Sequence, residues 1–230
     1  QGREMQALLE QAKLLATTDE SILIEGEDGT GKESMAKAIH NFSNRADEYF
    51  VSVDCSSTAL VELDRELFGY DAELGQVVGI GKVRLAHKGT LLFVNINQMP
   101  LYFQEQVACF IKTRHIEVGN FDGPLVDTRL LFTSSEDLYT LMKRGHFCEE
   151  LYFRIIKNRI RIPSVRERTH TDNVTALESA IKYFKKMNRK PRLTFEREAL
   201  KALCDYSWPG NIQQIETAIN RLVYICNTTV

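Results

Sequence analysis

The chain has 230 residues, of which 43% are hydrophobic and 26% are charged, a composition typical of soluble globular domains. Its formal net charge of −2 excludes a protein that is drawn to nucleic acid or membranes by its overall charge. The sequence has no signal peptide and no apolar run near the roughly 18 residues of a membrane span, which predicts a cytoplasmic protein without membrane contact.

The first predicted elements surround a glycine-rich motif. Apolar residues at helical spacing predict a helix over residues 5–16, and the apolar run at 21–24 predicts a buried strand. The residues that follow read GEDGTGK and match the G-x-x-x-x-G-K pattern of phosphate-binding loops. The glycines allow backbone N–H groups to close around phosphate oxygens, and the helix predicted at 32–42 points its positive end at the same place.

A nucleotide site is predicted over this motif. The position after the lysine normally offers a serine or threonine hydroxyl to magnesium, and it is Glu33 here. A glycine-rich turn without a ligand is the alternative, but the preceding strand and the following helical pattern favour nucleotide binding. The predicted binding residues are Gly26, Glu27, Asp28, Gly29, Thr30, Gly31, Lys32 and Glu33.

Strands and helices continue to alternate beyond the motif. The strands are predicted at residues 49–55, 89–95, 128–133 and 159–162, and the helices at 62–68, 101–114, 138–145 and 149–156. Residues 70–82 are predicted to form a glycine-rich loop with strand-like pieces. Because the strands at 89–95 and 128–133 are apolar throughout, they predict a parallel sheet covered by helices on both faces, which is an α/β fold.

The predicted strands stop before Pro163, and only helices follow, at residues 172–190, 195–206 and 211–226. We therefore predict an α/β domain over residues 1–164 and a small helical domain over residues 165–230. A basic cluster on the helical domain is predicted to be a solvated face rather than a nucleic-acid contact. This cluster comprises Lys185, Lys186, Arg189, Lys190 and Arg192.

The five cysteines are scattered along the chain and form no C-x-x-C pair. This pattern predicts reduced and buried thiols rather than disulfides or a metal site. They are Cys55, Cys109, Cys148, Cys204 and Cys226.

Six short motifs in a fixed order resemble one family along almost the whole chain. They read GEDGTGKESMAKAIH at 26–40, ELFG at 66–69, AHKGTLLF at 86–93, ELYFRI at 150–155, PSVRER at 163–168 and WPGN at 208–211. The sequence resembles the AAA+ domain of bacterial enhancer-binding proteins, the activators of sigma-54 RNA polymerase. The resemblance implies a RecA-like AAA+ parallel sheet covered by helices, plus a small α-helical lid. It also implies a phosphate loop that ends in Lys-Glu, as this one does.

The resemblance has implications beyond this piece of chain. It implies homo-oligomers, from dimer to hexamer. It also implies that the piece was cut from a longer protein, with a regulatory domain before it and a helix-turn-helix domain for DNA after it. Residues 70–81 lack the Gly-Ala-Phe-Thr-Gly-Ala string with which the family contacts sigma-54. We therefore expect a partner such as the ordinary RNA polymerase holoenzyme.

The largest departure from the family lies at the end of the strand predicted at 89–95. The resemblance implies an Asp-Glu pair there, in which the Asp helps to hold magnesium and the Glu polarises the attacking water. Val94 and Asn95 occupy these positions. A valine cannot bind a cation and an asparagine cannot take a proton, so the sequence argues against bound magnesium and against hydrolysis. We assign no catalytic residue.

Other positions that the resemblance places near the terminal phosphate of a bound nucleotide also differ from the family. The resemblance implies two arginines near a subunit interface, of which the first is Cys148 here and the second survives as Arg154. The lid arginine of the family is Gln213, and its usual Thr-Asn pair is Ser134-Ser135. The candidate trans-acting or sensor residues are therefore Arg154, Ser134, Ser135 and Gln213.

Three functions stay open at this point. The first is a regulatory domain of a transcription regulator, in which a bound nucleotide, ATP or another, sets the oligomeric state. The second is an active ATPase that drives promoter opening with sigma-54, which the residues at 94 and 95 oppose. The third is a cyclic di-GMP sensor, because some relatives with weakened ATPase activity bind that ligand beside the phosphate loop. Its candidate partners here are Lys32, Lys37, Arg3 and Arg154.

Overall fold

The computed structural model describes residues 3–56, 60–72, 76–118 and 121–226. The helices are α1 (Arg3–Ala16), α2 (Lys32–Asn41), α3 (Leu60–Phe68), α4 (Lys82–Leu85), α5 (Leu101–Thr113), α6 (Leu138–Lys143), α7 (Glu149–Ile155), α8 (His170–Met187), α9 (Arg197–Asp205) and α10 (Asn211–Ile225). The strands are β1 (Ile22–Glu25), β2 (Phe50–Asp54), β3 (Gly69–Ala72), β4 (Gln76–Ile80), β5 (Thr90–Val94), β6 (His115–Val118), β7 (Phe121–Leu125), β8 (Arg129–Ser134) and β9 (Arg159–Arg161). Single 3₁₀ turns lie at Ile96–Gln98 and Val165–Glu167.

The described residues form two compact units. The first, the sheet unit, consists of Gln11–Glu25 and Lys32–Arg161. The second, the lid unit, consists of the described residues of 1–10, 26–31 and 162–230. Residues 26–31, which form the glycine-rich motif, therefore belong with the helices of the second unit although they are joined to the sheet unit at both ends. The division predicted between residues 164 and 165 stays a prediction.

A five-stranded sheet of order β2-β5-β8-β1-β9 forms the centre of the sheet unit. Every pairing within it is parallel. The strands β1, β5 and β8 are buried along their whole length, as expected when helices cover both faces of a parallel sheet. The predicted α/β fold with a parallel sheet is therefore confirmed.

Apolar side chains fill the sheet unit. Phe93 of β5 stacks on Phe132 of β8, with 5.1 Å between ring centroids. The buried guanidinium of Arg129 donates to the carbonyl oxygens of Leu15 at 2.7 Å and Ala16 at 2.9 Å, and so satisfies the last turn of α1. This buried arginine has a structural role, because its hydrogen bonds connect the C-terminal end of α1 to the start of β8.

Two antiparallel hairpins depart from the sequence-based expectation. β3 pairs with β4 where a loop with strand-like pieces was predicted, and β6 pairs with β7 in a region for which no strand was predicted. These strands have four or five residues. Such short segments carry too few apolar positions for a period-two pattern, so backbone pairing forms them without a strong sequence signal. Residues 73–75 of the predicted loop lie outside the described residues.

The helices α8, α9 and α10 form the core of the lid unit. Ile215, Ile219 and Val223 lie on one face of α10, where spacing of four residues brings side chains together. They belong to a buried cluster with Leu177 of α8 and with Trp208. The predicted helical segment after Pro163 is therefore present.

The cysteines correct one expectation. All five are free thiols, but only Cys55 is buried and the others are partly exposed. Burial raises the pKa of the Cys55 thiol far above its usual range. The four others lie on or beside helices. Neighbours in sequence point to different faces of a helix, so apolar neighbours do not ensure that the cysteine side chain is buried. None of the helices in the described part of the chain is long and apolar enough to cross a membrane.

Candidate functional site

The phosphate loop runs from Gly26 to Gly31, between the end of β1 and the start of α2. Gly29 has φ of +75° and Gly31 has φ of +98°, backbone conformations that L side chains rarely adopt. The amide and hydroxyl of Thr30 both donate to the carbonyl oxygen of Glu27, at 3.3 and 2.7 Å. Glycine at these two positions therefore lets the chain turn tightly just before a ten-residue helix.

Residues 211 and 213 of the lid unit donate hydrogen bonds to backbone carbonyls of this loop, which belongs to the same unit. The amide of Gln213 donates to the carbonyl oxygen of Gly29 at 3.2 Å. The side-chain amide of Asn211 donates to the carbonyl oxygen of Asp28 at 2.9 Å. A Cβ atom at Gly29 would lie 2.3 Å from the carbonyl oxygen of Gly210, so the contact is too close for any other residue.

Two arginines of the same unit also donate hydrogen bonds to the loop. Arg168 donates to the carbonyl oxygen of Thr30 at 3.2 Å. Arg166 directs two guanidinium nitrogens at the two carboxylate oxygens of Glu27. This bidentate hydrogen bonding lowers the pKa of the Glu27 carboxyl. Because both side chains of this ion pair are well exposed, solvent screens the attraction, and we assign the pair an orienting role rather than a large contribution to stability.

The direction of the loop carbonyls determines the direction of its amides. In a trans peptide the C=O group and the next N–H group point to opposite sides. The carbonyls of Asp28 and Thr30 accept from lid donors, so the amides of Gly29 and Gly31 point away from those donors. Neither amide has an acceptor among the described residues. Such outward backbone N–H groups in a turn are suited to bind anionic oxygens.

The start of α2 fits a phosphate in the same way. Lys32 is the first residue of α2 and is buried, while Glu33 and Asp28 are exposed. A Cβ atom at Gly31 would meet no heavy atom of the described residues within 4 Å, so space remains beside the loop. The backbone amides of the loop and the ammonium group of Lys32 would hold phosphate oxygens. The residues present therefore fit a nucleotide phosphate.

Asn211 takes its position from a turn made by the motif WPGN. Trp208 and Asn211 both have positive φ, +47° and +55°. Asparagine tolerates this conformation better than most residues. The side chain of Asn211 is fully buried, and its Oδ1 accepts from the amide of Val165 at 2.8 Å. One side chain thus joins the start of the lid, its last helix and the phosphate loop.

Sequence reasoning assigned no role to Asn211, Arg166 or Arg168. All three lie in motifs that carried the family resemblance, PSVRER and WPGN. The signal that could have found Asn211 is an asparagine directly after Pro-Gly, where a turn with positive φ is common.

The Asn211→Ala variant is expected to lower the free energy of unfolding by about 2–4 kcal/mol, because buried partners lose their hydrogen bonds and alanine resists positive φ. Urea denaturation followed by circular dichroism measures the change. Asn220, exposed on the same helix, offers the matched control. The Asn220→Ala variant is expected to remain within about 0.5 kcal/mol of the unchanged chain. Equal losses from both substitutions would contradict the structural role of Asn211.

The carboxyl edge of the sheet carries the positions where the family resemblance implies acidic residues. Val94 ends β5 and is buried. Asn95 follows with φ of +56° and ψ of +50°, and its amide donates to the hydroxyl of Thr133 at 3.0 Å. Asparagine suits this left-handed conformation, whereas glutamate does not. The structure therefore explains how an asparagine is accommodated at the end of β5.

The serines at the end of β8 make local contacts. Ser134 is buried, and its hydroxyl donates to the carbonyl oxygen of Glu136 at 2.7 Å. Asn97 accepts from the amide of Ser135 at 3.4 Å and donates to the carboxylate of Glu136 at 3.0 Å. The sequence prediction of Ser134 and Ser135 as sensors is not tested by these contacts, but the hydroxyl of Ser134 already has a backbone partner.

The positions of the family's interface arginines lie on and before α7. Arg154 donates to Glu150 at 2.6 Å, one helical turn earlier, and this hydrogen bond lowers the pKa of the Glu150 carboxyl. Cys148 precedes α7, and its amide donates to the side chain of Gln104 at 2.7 Å. The side chain of Gln213 is exposed on α10. The side chain of Arg3, a further candidate, lies outside the part that the structure describes.

One acidic residue at the carboxyl edge of the sheet was not identified from the sequence. Glu25 ends β1, is buried and forms an ion pair with Arg159 of β9. Burial raises the pKa of its carboxyl, and the charge of Arg159 opposes this. Within the described residues, no group of three or more His, Cys, Asp or Glu side chains could hold a metal ion.

The fold and the loop together define a class. A parallel five-stranded sheet, in which β1 leads through a glycine-rich loop into α2, is a RecA-like AAA+ nucleotide-binding domain, and here a helical lid follows it. The chain belongs to the sigma-54 activator family. The model of the "Sigma-54 interaction domain" matches residues 1–161, and that of the "AAA+ ATPase lid domain" matches residues 166–230. The resemblance to enhancer-binding proteins is therefore confirmed.

Several characterised proteins are similar to this chain. The alginate biosynthesis transcriptional regulatory protein AlgB of Pseudomonas syringae pv. tomato is 36% identical over 96% of this chain and 50% of its own length. The transcriptional regulatory protein FlbD of Caulobacter vibrioides is 35% identical over 96% of this chain and 49% of its own. The chain thus spans about half the length of these relatives. A crystal structure of NtrX from Brucella abortus in complex with ATP superposes with a TM-score of 0.88 and 28% identity, over 98% of this chain and 52% of NtrX.

Proposed function

We propose that this chain binds a nucleotide at residues 26–33 and hydrolyses it slowly or not at all. The bound nucleotide would set the oligomeric state of a longer cytoplasmic transcription regulator. The observation that carries the proposal is a contrast between two segments. The phosphate loop keeps its glycines, its outward amides and Lys32, whereas β5 ends at Val94 and is followed by Asn95. A domain of this kind retains affinity and loses turnover.

Magnitudes support the separation of binding from hydrolysis. A general base contributes about 10²–10⁴ in rate, and a charge-stabilising arginine contributes about 10³–10⁵. The resemblance places the lost groups at Val94, Asn95, Cys148 and Gln213, and their effects are not expected to add fully. Phosphate affinity rests instead on backbone amides and Lys32, which the chain keeps.

The proposed ligand is an adenine nucleotide. NtrX has been crystallised both with ATP and with ADP, at 28% identity to this chain in each case. Cyclic di-GMP is the alternative that follows from the sequence, and magnesium has no carboxylate partner at residues 94 and 95. A bound nucleotide that prefers one assembly shifts the population toward it by its difference in affinity between the two states.

The partners of the whole protein are also proposals. Relatives of the same family are transcriptional regulators of about twice this length. We propose homo-oligomers of two to six chains, contact with the RNA polymerase holoenzyme and DNA binding through a helix-turn-helix domain outside this chain. Whether sigma-54 is the sigma factor depends on the hairpin β3–β4, which lacks the family's contact string.

The Lys32→Ala variant tests the binding half of the proposal. Calorimetry with ATP, ADP and cyclic di-GMP should show adenine-nucleotide binding that falls about 10- to 100-fold in this variant, the range of a charge-assisted hydrogen bond. Lys37→Ala is the matched control, because Lys37 lies on the same helix with its ammonium over the ring of Phe50. Its ATP affinity is expected to stay within about twofold.

The outcomes separate the three functions. Affinity for ATP with phosphate release near background supports the proposal. Release at the rate of intact family members would instead establish an active ATPase. Binding of cyclic di-GMP alone, weakened by Lys37→Ala, would establish the sensor, and binding of none of these ligands would overturn all three.

A further inference from the structure

A cleft of about 850 Å³ lies within the lid unit, away from the phosphate loop in sequence. It is lined by α8, by the segment between α8 and α9, and by the first half of α9. This volume falls in the range of about 300–1,000 Å³ that is usual for small-molecule sites. The cleft is therefore large enough for a ligand and not merely a packing defect.

The floor of the cleft is apolar. Leu193 is buried there, while Ile181, Phe195 and Leu200 are only partly covered. None of the residues of α9 is fully buried, although its apolar residues lie toward one side of the helix. The protein thus leaves apolar surface at the cleft in contact with solvent, and covering that surface would be favourable.

The rim of the cleft is basic. Lys182, Lys185 and Lys186 lie three and four residues apart on α8, and Arg189 follows the end of that helix. Their side-chain nitrogens have no ion-pair partner among the described residues. Like charges at this spacing repel each other along a helix. Glu178 is the single acidic residue of the lining.

The position of these cations is informative. Cations near the end of a helix are favoured by its dipole, which accounts for Lys185 and Lys186 on any face of the last turns. The dipole does not account for their placement on the face that borders an apolar cleft. Lysine and arginine stems can cover apolar surface while their charged ends stay in water. The rim can therefore contact an apolar ligand body and an anionic group at once.

From this combination we propose that the lid cleft binds a small amphiphilic anion, with an alkyl or aryl body on the apolar floor and one anionic head at the lysine rim. Charge complementarity selects the head, because an anion relieves the repulsion among the rim cations. Size and apolar lining select the body. Nucleic acid would leave the apolar floor uncovered and does not satisfy the same features.

Decanoate is a suitable probe because it carries an alkyl chain of nine carbons and one carboxylate. Calorimetry on the 230-residue chain below the micellar range should show one site per chain for decanoate and none for acetate, which lacks the body. Decyltrimethylammonium has an alkyl chain only one carbon longer and the opposite charge, and is expected to bind at least about tenfold more weakly. Decyl phosphate, compared with decanoate, distinguishes a phosphate head from a carboxylate head.

The triple variant Lys182→Gln, Lys185→Gln, Lys186→Gln tests the role of the rim. It changes surface positions only, and we expect decanoate to bind about tenfold more weakly, equivalent to about 1.4 kcal/mol. Arg197→Gln with Lys201→Gln removes two exposed cations of α9 that do not line the cleft, and should leave the affinity unchanged.

Two further results bear on the proposal. Leu200→Asp places a carboxylate on the floor and should abolish binding, with circular dichroism to show that the helices persist. Binding of decyltrimethylammonium as tight as that of decanoate, or unchanged affinity in the triple glutamine variant, would overturn the proposal. Because nucleotide is absent throughout, these results do not depend on the proposed nucleotide site.

Discussion

Restoring acidic residues at the end of β5, by Val94→Asp with Asn95→Glu, is expected to raise single-turnover phosphate release from ATP by about 100-fold or more, because a positioned general base contributes about 10²–10⁴ in rate. The reason is chemical. The new aspartate supplies an oxygen ligand for magnesium and the new glutamate can accept a proton from water. The rate should also become dependent on magnesium, which the unchanged chain is not expected to show.

The local structure predicts a cost for this gain. Val94 is buried between neighbouring strands, so an aspartate there must be hydrogen-bonded or bound to a cation to remain charged. Asn95 has left-handed backbone dihedrals, in which glutamate is disfavoured by about 1–2 kcal/mol. The double variant is therefore expected to unfold at lower urea concentration than the unchanged chain. Magnesium with nucleotide should recover part of this loss.

Matched controls identify the source of the effect. Val94→Asn with Asn95→Gln keeps similar shapes without carboxylates and is expected to leave the rate at background. Adding Lys32→Ala to the acidic variant should remove the gain, because the phosphate loop must bind first. If the unchanged chain already released phosphate as fast as the acidic variant, the proposed loss of hydrolysis would be wrong.

The acidic variant is still expected to be slower than an intact relative. The arginine positions implied by the family remain Cys148 and Gln213, and such an arginine contributes about 10³–10⁵ in rate. Adding Cys148→Arg and Gln213→Arg tests this directly. A further gain that depends on protein concentration would indicate that the arginine at 148 acts in a neighbouring subunit.

The sequence was sufficient to predict the elements with strong local signals. The apolar runs of β5 and β8 predicted buried parallel strands, and both are buried along their length. The glycine-rich motif predicted a turn between a strand and a helix, and the turn is present, with positive φ at Gly29 and Gly31. The hairpins were not predicted in full, because strands of four or five residues have too little pattern to recognise.

The hydrogen bonds between the phosphate loop and the rest of the lid unit could not be predicted in this way. Asn211 and Asp28 are separated by 183 residues, and their hydrogen bond joins a side chain to a backbone carbonyl. No periodic sequence pattern predicts such a contact, because every residue has a backbone carbonyl that can accept the hydrogen bond. The motif WPGN marked the position as one shared with a family but did not reveal which atoms it meets.

Alanine at Gly29 and at Gly31 should separate the two sides of the phosphate loop. Both residues have positive φ, so alanine costs each position about 1–2 kcal/mol of stability. At Gly29 the added Cβ would also lie 2.3 Å from the carbonyl oxygen of Gly210, a backbone atom that cannot move alone. We therefore expect Gly29→Ala to lower the free energy of unfolding by about 1–3 kcal/mol more than Gly31→Ala, the range of other strained contacts.

Nucleotide affinity should show the reverse order. At Gly31 the added Cβ enters space that no described atom occupies within 4 Å. A phosphate close to the loop would need that space, so Gly31→Ala is expected to weaken ATP binding by about 100-fold or more, equivalent to about 2.7 kcal/mol. Urea denaturation and calorimetry on the same two variants provide both measurements. Gly29→Ala would be expected to lose affinity only to the extent that the folded population falls.

The pair of results distinguishes the proposed arrangement from a simpler one. If the loop were a structural turn without a ligand, Gly31→Ala would change stability slightly and no ligand would bind either variant. If residues 210–213 did not contact the loop, Gly29→Ala and Gly31→Ala would be equally stable. Loss of stability at Gly29 together with loss of affinity at Gly31 requires both features. Lid groups donate hydrogen bonds to the loop carbonyls on one side, and a phosphate would accept hydrogen bonds from the loop amides on the other.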